Sequence, residues 1–255
     1  MEGPATPAAR PQRLDLRTRD GVVDVHLRWP PASGPHRAVV MYMDAFGIRP
    51  ALMSMAQRLA SLGFVVAVPN LYYRHGEFPP FDKTKVFADG PEHDRFKGMI
   101  ASITYGMVMD DTRAVIQALD AHPGVAPDAP MAAVGYCMGG GFALTAAGTF
   151  PDRIAAAASF HGGSLATDKK ESPHRLAPQI RGRVYVGVAG IDPSFPPDQE
   201  GRLTEAFDAA GVRYTLERSE GARHGFAVLE HPVYDRVAAE RHWEALSDFL
   251  ADTRP

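Results

Sequence analysis

Short runs of apolar residues alternate along this chain with longer segments whose apolar residues recur at every third or fourth position. Runs of the first kind are typical of buried strands, and segments of the second kind are typical of amphipathic helices. A continuous apolar run such as residues 38–43 predicts a strand that is covered on both faces. The pattern therefore predicts an α/β fold with a mostly parallel central sheet and helices on both faces.

The predicted elements follow one another without an internal repeat or a dividing linker. An N-terminal hairpin is expected around Asp20 and Gly21, because these turn residues separate two alternating segments. The strands are predicted at residues 14–16, 22–29, 38–43, 64–69, 132–136, 154–160, 183–189 and 212–218. The helices are predicted at residues 51–62, 107–122, 139–148, 197–210 and 231–250. Residues 70–91 are rich in Pro and Gly and are expected to form a long functional loop.

The length of 255 residues fits one large domain, which we place at residues 13–255 after a flexible tail at residues 1–12. The formal net charge is −3 and no long run of one sign occurs, so neither nucleic acid nor a membrane is an expected partner. A single cysteine excludes an internal disulfide, and the N-terminus has no secretory pattern. These features predict a cytoplasmic protein. The sequence does not predict its oligomeric state.

The segment Gly135-Tyr136-Cys137-Met138-Gly139 lies between a predicted strand and a predicted helix. It matches the G-x-S-x-G nucleophile elbow, with cysteine in the serine position. Glycines flank such a turn because it is too tight for side chains, and the N–H groups of the following helix stabilise negative charge there. A lone cysteine is more often buried and inert, but this one occupies the centre of the elbow. Cys137 is therefore the candidate nucleophile.

Two further residues complete a candidate triad. In folds with such an elbow the acid and the histidine follow the nucleophile in that order, the acid just after a strand and the histidine in a loop after the next strand. Asp192 and His224 occupy such positions. Taken singly, Asp192 is more often a turn residue and His224 a surface residue. In this order, an imidazole could take the thiol proton while a carboxylate orients the ring. His161 also follows a predicted strand, and we expect it to be structural.

The sequence resembles the dienelactone hydrolase family from about residue 14 to residue 250. The segments that carry this resemblance are MYMDAFGIRP, VPNLYYR, VGYCMGGGFAL, VAGIDPSFPP and GARHGFA. The resemblance implies an α/β-hydrolase fold and hydrolysis of esters or lactones through a thioester acyl-enzyme. It also implies a Cys-His-Asp triad, which falls on Cys137, His224 and Asp192. It implies no metal and no organic cofactor.

The resemblance also implies roles for the loop after the third predicted strand. In the family, a glutamate in this loop contacts the resting thiol, and the matching residue here is Asp44, which is one methylene shorter. Asp44 is therefore the candidate thiol-activating residue, although turn formation is the alternative. The oxyanion hole is expected to consist of the backbone amides of Ala45 and Met138.

Substrate-binding candidates follow from the same comparison. Family members that hydrolyse dienelactone hold its carboxylate with two arginines. One matching position is Arg74, while the other is Val228, four residues after His224. This departure weakens the case for dienelactone itself, and Arg49 or Arg223 are the cations that could substitute. Two residues of the segments that carry the resemblance complete the set of substrate-binding candidates, namely Tyr72 and Phe46.

Three alternatives to a dienelactone hydrolase-like enzyme stay open. A general carboxylesterase of the same fold would use the same residues. A non-catalytic binding protein could have kept the pocket, because fold does not determine function. A redox-responsive protein could use Cys137 as its oxidisable group, although the chain has no second cysteine. A metal enzyme is not expected, because no metal-binding histidine spacing occurs.

Overall fold

The computed structural model describes residues 12–251. Its eight strands in chain order are β1 (Gln12–Thr18), β2 (Gly21–Arg28), β3 (Ala38–Tyr42), β4 (Val65–Pro69), β5 (Met131–Tyr136), β6 (Ile154–Phe160), β7 (Arg183–Ile191) and β8 (Arg213–Arg223). These strands form one sheet in the order β1-β2-β4-β3-β5-β6-β7-β8. The strands β1 and β2 form the N-terminal hairpin and are antiparallel, as is the β2–β4 pair, while every pairing from β4 to β8 is parallel.

Helices cover the sheet on both faces. Every residue of β3, β4 and β5 is buried, although successive side chains of a strand point to opposite faces. The six α-helices in chain order are α1 (Pro50–Ala60), α2 (Pro91–Ala101), α3 (Tyr105–Asp120), α4 (Met138–Thr149), α5 (Pro197–Ala210) and α6 (Arg236–Ala251). Short 3₁₀ helices occur at Tyr73–His75 and Pro173–Gln179. The architecture confirms the predicted α/β fold with a mostly parallel sheet.

The predicted elements differ from the observed ones in two main places. The helix α2 was not predicted, because only Phe96 and Met99 of its eleven residues are buried and no clear helical period results. The helix α6 begins at Arg236, five residues later than predicted, since the Asp235 carboxylate accepts hydrogen bonds from the Val237 and Ala238 amides and so caps it there. Residues 1–11 of the expected flexible tail lie outside the described residues, and Gln12 already belongs to β1.

The parallel strands bring several polar residues to one edge of the sheet. Cys137, His161, Asp192 and His224 each directly follow the last residue of β5, β6, β7 and β8, respectively, and Asp44 lies two residues after β3. Because these strands are parallel, their carboxyl ends lie at the same edge, where α/β sheets commonly bind ligands. Among residues 12–251, no helix is long and apolar enough to cross a membrane.

Candidate active site

The turn between β5 and α4 holds Cys137 in a backbone conformation that side chains rarely adopt, with φ of 54°. The flanking glycines make this turn possible. A Cβ on Gly135 would lie 1.9 Å from the Gly139 carbonyl oxygen, and one on Gly139 would lie 2.5 Å from the Tyr42 carbonyl oxygen. Contact within the turn therefore requires glycine at position 135, and packing against the end of β3 requires glycine at position 139. The turn places the half-buried Cys137 at the start of α4.

The structure brings the three predicted triad residues together. The Nε2 atom of His224 lies 3.0 Å from the Cys137 sulfur, and its Nδ1 atom lies 2.7 Å from Oδ2 of Asp192. The Asp192 side chain is 2% exposed and the His224 side chain 28% exposed. A thiol, an imidazole and a carboxylate thus form a continuous hydrogen-bonded chain, an arrangement that can activate a nucleophile for acyl transfer.

Ser194 supports this chain, although it was not among the predicted site residues. Its backbone amide and its hydroxyl both donate to Oδ1 of Asp192, at 2.9 and 2.6 Å, and its Oγ lies 3.1 Å from Nδ1 of His224. These contacts leave Oδ2 of Asp192 to the imidazole. The signal in the sequence is Asp-Pro-Ser, because an aspartate often binds the backbone amide two residues later.

The surroundings of His224 strongly favour its protonated form. Burial lowers the pKa of His224, but the negative charge on Cys137 and the hydrogen bond to Asp192 together raise it to about 10. An imidazolium next to the sulfur is the partner that a thiolate requires. At neutral pH the side chains therefore favour an imidazolium beside the Cys137 sulfur.

The loop after β3 differs from the expectation for Asp44. Both oxygens of this fully buried carboxylate bind the Arg49 guanidinium at 2.6 Å, and Oδ1 also accepts the Phe46 amide at 2.9 Å. Within the described part of the chain, Asp44 makes no hydrogen bond to Cys137. The expected thiol contact is thus not formed, because Arg49, five residues along the chain, takes both carboxylate oxygens.

The two amides expected in the oxyanion hole are available. Among residues 12–251, neither the Ala45 nor the Met138 amide donates a hydrogen bond within the protein. Met138 is the first residue of α4, so its amide has no partner in the helix. The buried Tyr72 hydroxyl donates to the Ala45 carbonyl at 2.9 Å. The completely buried Tyr72 side chain therefore holds the Ala45–Phe46 peptide in place.

His161 lies directly against the triad. Its ring centroid is 5.4 Å from that of His224, its side chain is buried, and its backbone has φ of 40°. Neither ring nitrogen has a hydrogen-bond partner in the described chain. Burial, together with the nearby charge of His224, holds the pKa of His161 well below its usual value, so this ring is neutral. The only feature of the sequence that pointed to His161 was its position directly after a predicted strand.

Arg74 does not occupy the position expected of a substrate anchor. Its guanidinium donates to both oxygens of Asp111 at 2.8 and 3.0 Å and to Oδ2 of Asp20 at 2.8 and 3.0 Å. Asp111 belongs to α3 and Asp20 to the turn between β1 and β2. The expectation of an anion-binding role is thus corrected, since two carboxylates already use the donors of Arg74. The second position, Val228, is completely buried in the core, and Arg223 is exposed.

A cleft of about 790 Å³ lies beside the loop that carries Asp44 and Ala45. Phe46 contributes to its wall and contacts Phe81 at a ring-centroid distance of 6.4 Å. The remaining lining residues are Ile48, Arg49, Pro50, Asn70, Gly76, Glu77, Phe78, Pro80, Asp82, Lys83 and Glu230. The volume lies within the usual range of small-molecule sites. Of the predicted substrate-binding residues, Phe46 is the one that lines this cleft, and none of the three candidate triad residues does. The cleft adjoins the expected oxyanion hole through Phe46, which directly follows Ala45.

Comparison with known proteins agrees with this architecture. A protein of Synechocystis sp., provisionally named carboxymethylenebutenolidase, is 26% identical over 229 residues, covering 88% of this chain and 89% of its own. A crystal structure described as a dienelactone hydrolase-like promiscuous phosphotriesterase from metagenomic libraries has 25% identity, a TM-score of 0.78, and coverage of 96% of this chain and 99% of its own. A Klebsiella pneumoniae structure, provisionally named dienelactone hydrolase, has 22% identity, a TM-score of 0.82 and the same coverage, and it supports the fold alone.

A match to a protein family covers most of the chain. The residues that match the family extend from β2 to beyond α6, and so they include the elbow, the loop after β3 and the ends of β7 and β8. Because residues 23–253 match the model of the dienelactone hydrolase family, this chain belongs to that family.

Proposed function

We propose that the protein hydrolyses ester or lactone bonds by covalent catalysis, with Cys137 as nucleophile and His224 and Asp192 as its partners. The observation that carries this proposal is the continuous chain from the Cys137 sulfur through His224 to Asp192, at 3.0 and 2.7 Å. Family membership supports a hydrolase of this chemical class. A general carboxylesterase would use the same chain, whereas a non-catalytic binding protein or a redox sensor would not need it.

The proposed reaction has two steps. The Cys137 thiolate attacks the carbonyl carbon, a C–S bond forms, and the oxyanion accepts hydrogen bonds from the Ala45 and Met138 amides. As the C–O bond breaks, protonated His224 gives its Nε2 proton to the leaving alkoxide. His224 then takes a proton from water, the hydroxide attacks the thioester, and the C–S bond breaks. The imidazolium and the thiolate are restored when the acid leaves.

We propose that Asp44 and Arg49 act as positioning residues for the oxyanion hole. The Asp44 carboxylate binds the Phe46 amide, and Arg49 holds that carboxylate with two hydrogen bonds. Ala45 lies between Asp44 and Phe46, and the Tyr72 hydroxyl donates a hydrogen bond to the Ala45 carbonyl. These contacts support a role in orienting the Ala45 amide, with no direct contact to the thiol.

Trapping of the acyl-enzyme tests the proposed function. The purified protein is mixed with 4-nitrophenyl acetate, and intact and peptide masses are measured after rapid quenching in acid. We expect an acetyl group on the peptide that contains Cys137, and a loss of several orders of magnitude in kcat for Cys137→Ala. Circular dichroism of this variant should match the wild type. Wild-type turnover by Cys137→Ala, or acetylation only elsewhere, contradicts the proposal.

A further inference from the structure

The basic residues that line the cleft beside the oxyanion loop are already paired with carboxylates of the protein. Among the described residues, the cations of this lining are Arg49 and Lys83. Arg49 binds Asp44 with both Nη atoms and Glu230 with Nε. Lys83 places its Nζ atom 2.8 Å from Glu230. Glu230 therefore pairs with both cations, and Arg49 is shared between Glu230 and Asp44.

The charge balance of the cleft also opposes an anionic ligand. Three carboxylates line it, those of Glu77, Asp82 and Glu230, against two cations. A substrate carboxylate that entered this cleft would have to displace Glu230 or remain without a charged partner. An unpaired buried charge is costly, and like charges at close range add to that cost.

Three aromatic rings form part of the remaining surface of the cleft. Phe78 and Phe81 are in contact at a centroid distance of 5.7 Å, and Phe46 adds a third ring. The Arg49 and Lys83 cations lie 5.5 and 5.7 Å from the Phe46 ring centroid. Glu230 thus keeps both cations at the edge of an aromatic surface, where aromatic groups of a ligand can stack in offset or edge-to-face geometry.

On this basis we propose that the cleft selects uncharged esters or lactones that carry an aromatic group, and that Glu230 is the specificity-determining residue that excludes carboxylate-bearing substrates. The inference rests on the proposed hydrolase function and adds its substrate class. It follows that removal of the Glu230 charge should convert Lys83 into a free cation within the cleft.

A matched pair of substrates tests the proposal. The neutral substrate is 4-nitrophenyl 3-phenylpropanoate, and the anionic one carries an additional carboxylate at the para position of the distal ring. For the wild type we expect kcat/KM to favour the neutral ester by about tenfold or more. Equal values, or a preference for the carboxylate ester, overturn the proposal. If the wild type prefers the carboxylate ester and Arg223→Gln loses that preference, Arg223 is the residue that binds the substrate carboxylate.

Variants of the cleft sharpen the test. Glu230→Gln should shift the ratio of kcat/KM toward the carboxylate ester by about 10- to 100-fold, the value of one charged hydrogen bond. The matched control is Glu240→Gln, which removes an acidic partner of Arg58 at the surface between α1 and α6, and it should leave the ratio unchanged. An unchanged ratio in Glu230→Gln contradicts the role of Glu230.

The aromatic contribution is measured separately. Phe78→Ala should lower kcat/KM for the phenylpropanoate ester relative to 4-nitrophenyl acetate by about tenfold, because one stacking ring is removed. An unchanged ratio contradicts aromatic selection. Failure of the hydrolase proposal is distinguishable from these outcomes, since the wild type would then release no nitrophenol from any of the three esters by a route that depends on Cys137.

Discussion

At the residue scale, the protonation of His224 sets the state of the whole triad. Burial lowers its pKa, and the charges of Cys137 and Asp192 raise it to about 10. The raised pKa means that the folded protein holds this proton more tightly than the unfolded chain, whose histidine has an ordinary pKa near 6.5. The resulting stabilisation is fully present below about pH 6.5 and is lost as pH rises through about 10.

This proton also determines the expected pH dependence of activity. In the proposed reaction protonated His224 delivers the proton to the leaving alkoxide, and kcat should therefore fall as pH rises through about 10. Asp192→Asn should move this alkaline limb to lower pH, because the Asp192 contact is among the causes that raise the pKa. The measurement is the pH profile of kcat for both proteins on one neutral ester. An identical limb in the two profiles would contradict the assignment of Asp192.

The two roles considered for Asp44 differ in what they predict for Asp44→Asn. An amide oxygen can still accept the Phe46 amide, but the ion pair with Arg49 is lost. If Asp44 positions the oxyanion loop, kcat/KM should fall by about 100-fold, as for other oxyanion-hole defects. Alkylation of Cys137 by iodoacetamide at neutral pH should then change little. A parallel fall in both rates would instead support activation of the thiol by Asp44.

At the element scale, the contact between the start of α4 and the end of β3 determines where Cys137 lies. Gly139 packs directly on the backbone of β3, so that an added Cβ would meet the carbonyl oxygens of Tyr42 and Met43 at 2.5 and 2.7 Å. These are backbone atoms of the last residue of β3 and of the buried residue that follows it, which cannot move without disturbing the sheet. The elbow is therefore positioned by the packing of a helix on a strand, as well as by its own turn.

Gly139→Ala should consequently destabilise the protein by about 1–3 kcal/mol, the usual cost of overpacking. The matched control is Gly201→Ala in α5, where an added Cβ meets nothing within 4 Å. That substitution should stabilise the protein by up to about 1 kcal/mol, because alanine favours helices over glycine. Urea denaturation measures both changes. Similar free energies of unfolding for the two variants would show that the contact with β3 is unimportant.

At the scale of the whole molecule, Arg74 connects three distant parts of the chain. It follows β4 and binds Asp111 in α3 and Asp20 in the β1–β2 turn. Asp111 is completely buried, and burial raises its pKa even though Arg74 and Tyr73 oppose the shift. Loss of Arg74 would leave this buried carboxylate without its charged partner. Because Arg74 also binds Asp20, it attaches the β1–β2 hairpin to α3.

Arg74→Met should lower the free energy of unfolding by about 3–5 kcal/mol, as expected when one partner of a buried ion pair is removed. Arg181→Met is the control, because the Arg181–Asp152 pair is exposed and such pairs contribute about 0–1 kcal/mol. Thermal or urea denaturation gives both values. We expect unchanged KM for neutral and anionic esters in Arg74→Met. A stable variant with a raised KM for the anionic ester would restore the substrate-binding role.

Most of the fold could be predicted from the sequence because it depends on local patterns. Apolar runs of strand length, the glycines around Cys137 and the order of Cys137, Asp192 and His224 are all visible in one dimension. Their position at strand ends determined which side chains would meet, since parallel strands end at one edge. The helix α2 was missed for the opposite reason, because its exposed surface leaves no hydrophobic period.

Only the tertiary structure decided which charged groups pair with one another. Arg49 and Glu230 are 181 positions apart, and Arg74 and Asp20 are 54 positions apart, so no local pattern indicates that these groups bind each other. The sequence alone does not show whether an arginine is free to bind a substrate or is neutralised by a carboxylate of the protein. Burial and distance in three dimensions separate these cases, because the cost of an unpaired charge depends on its surroundings.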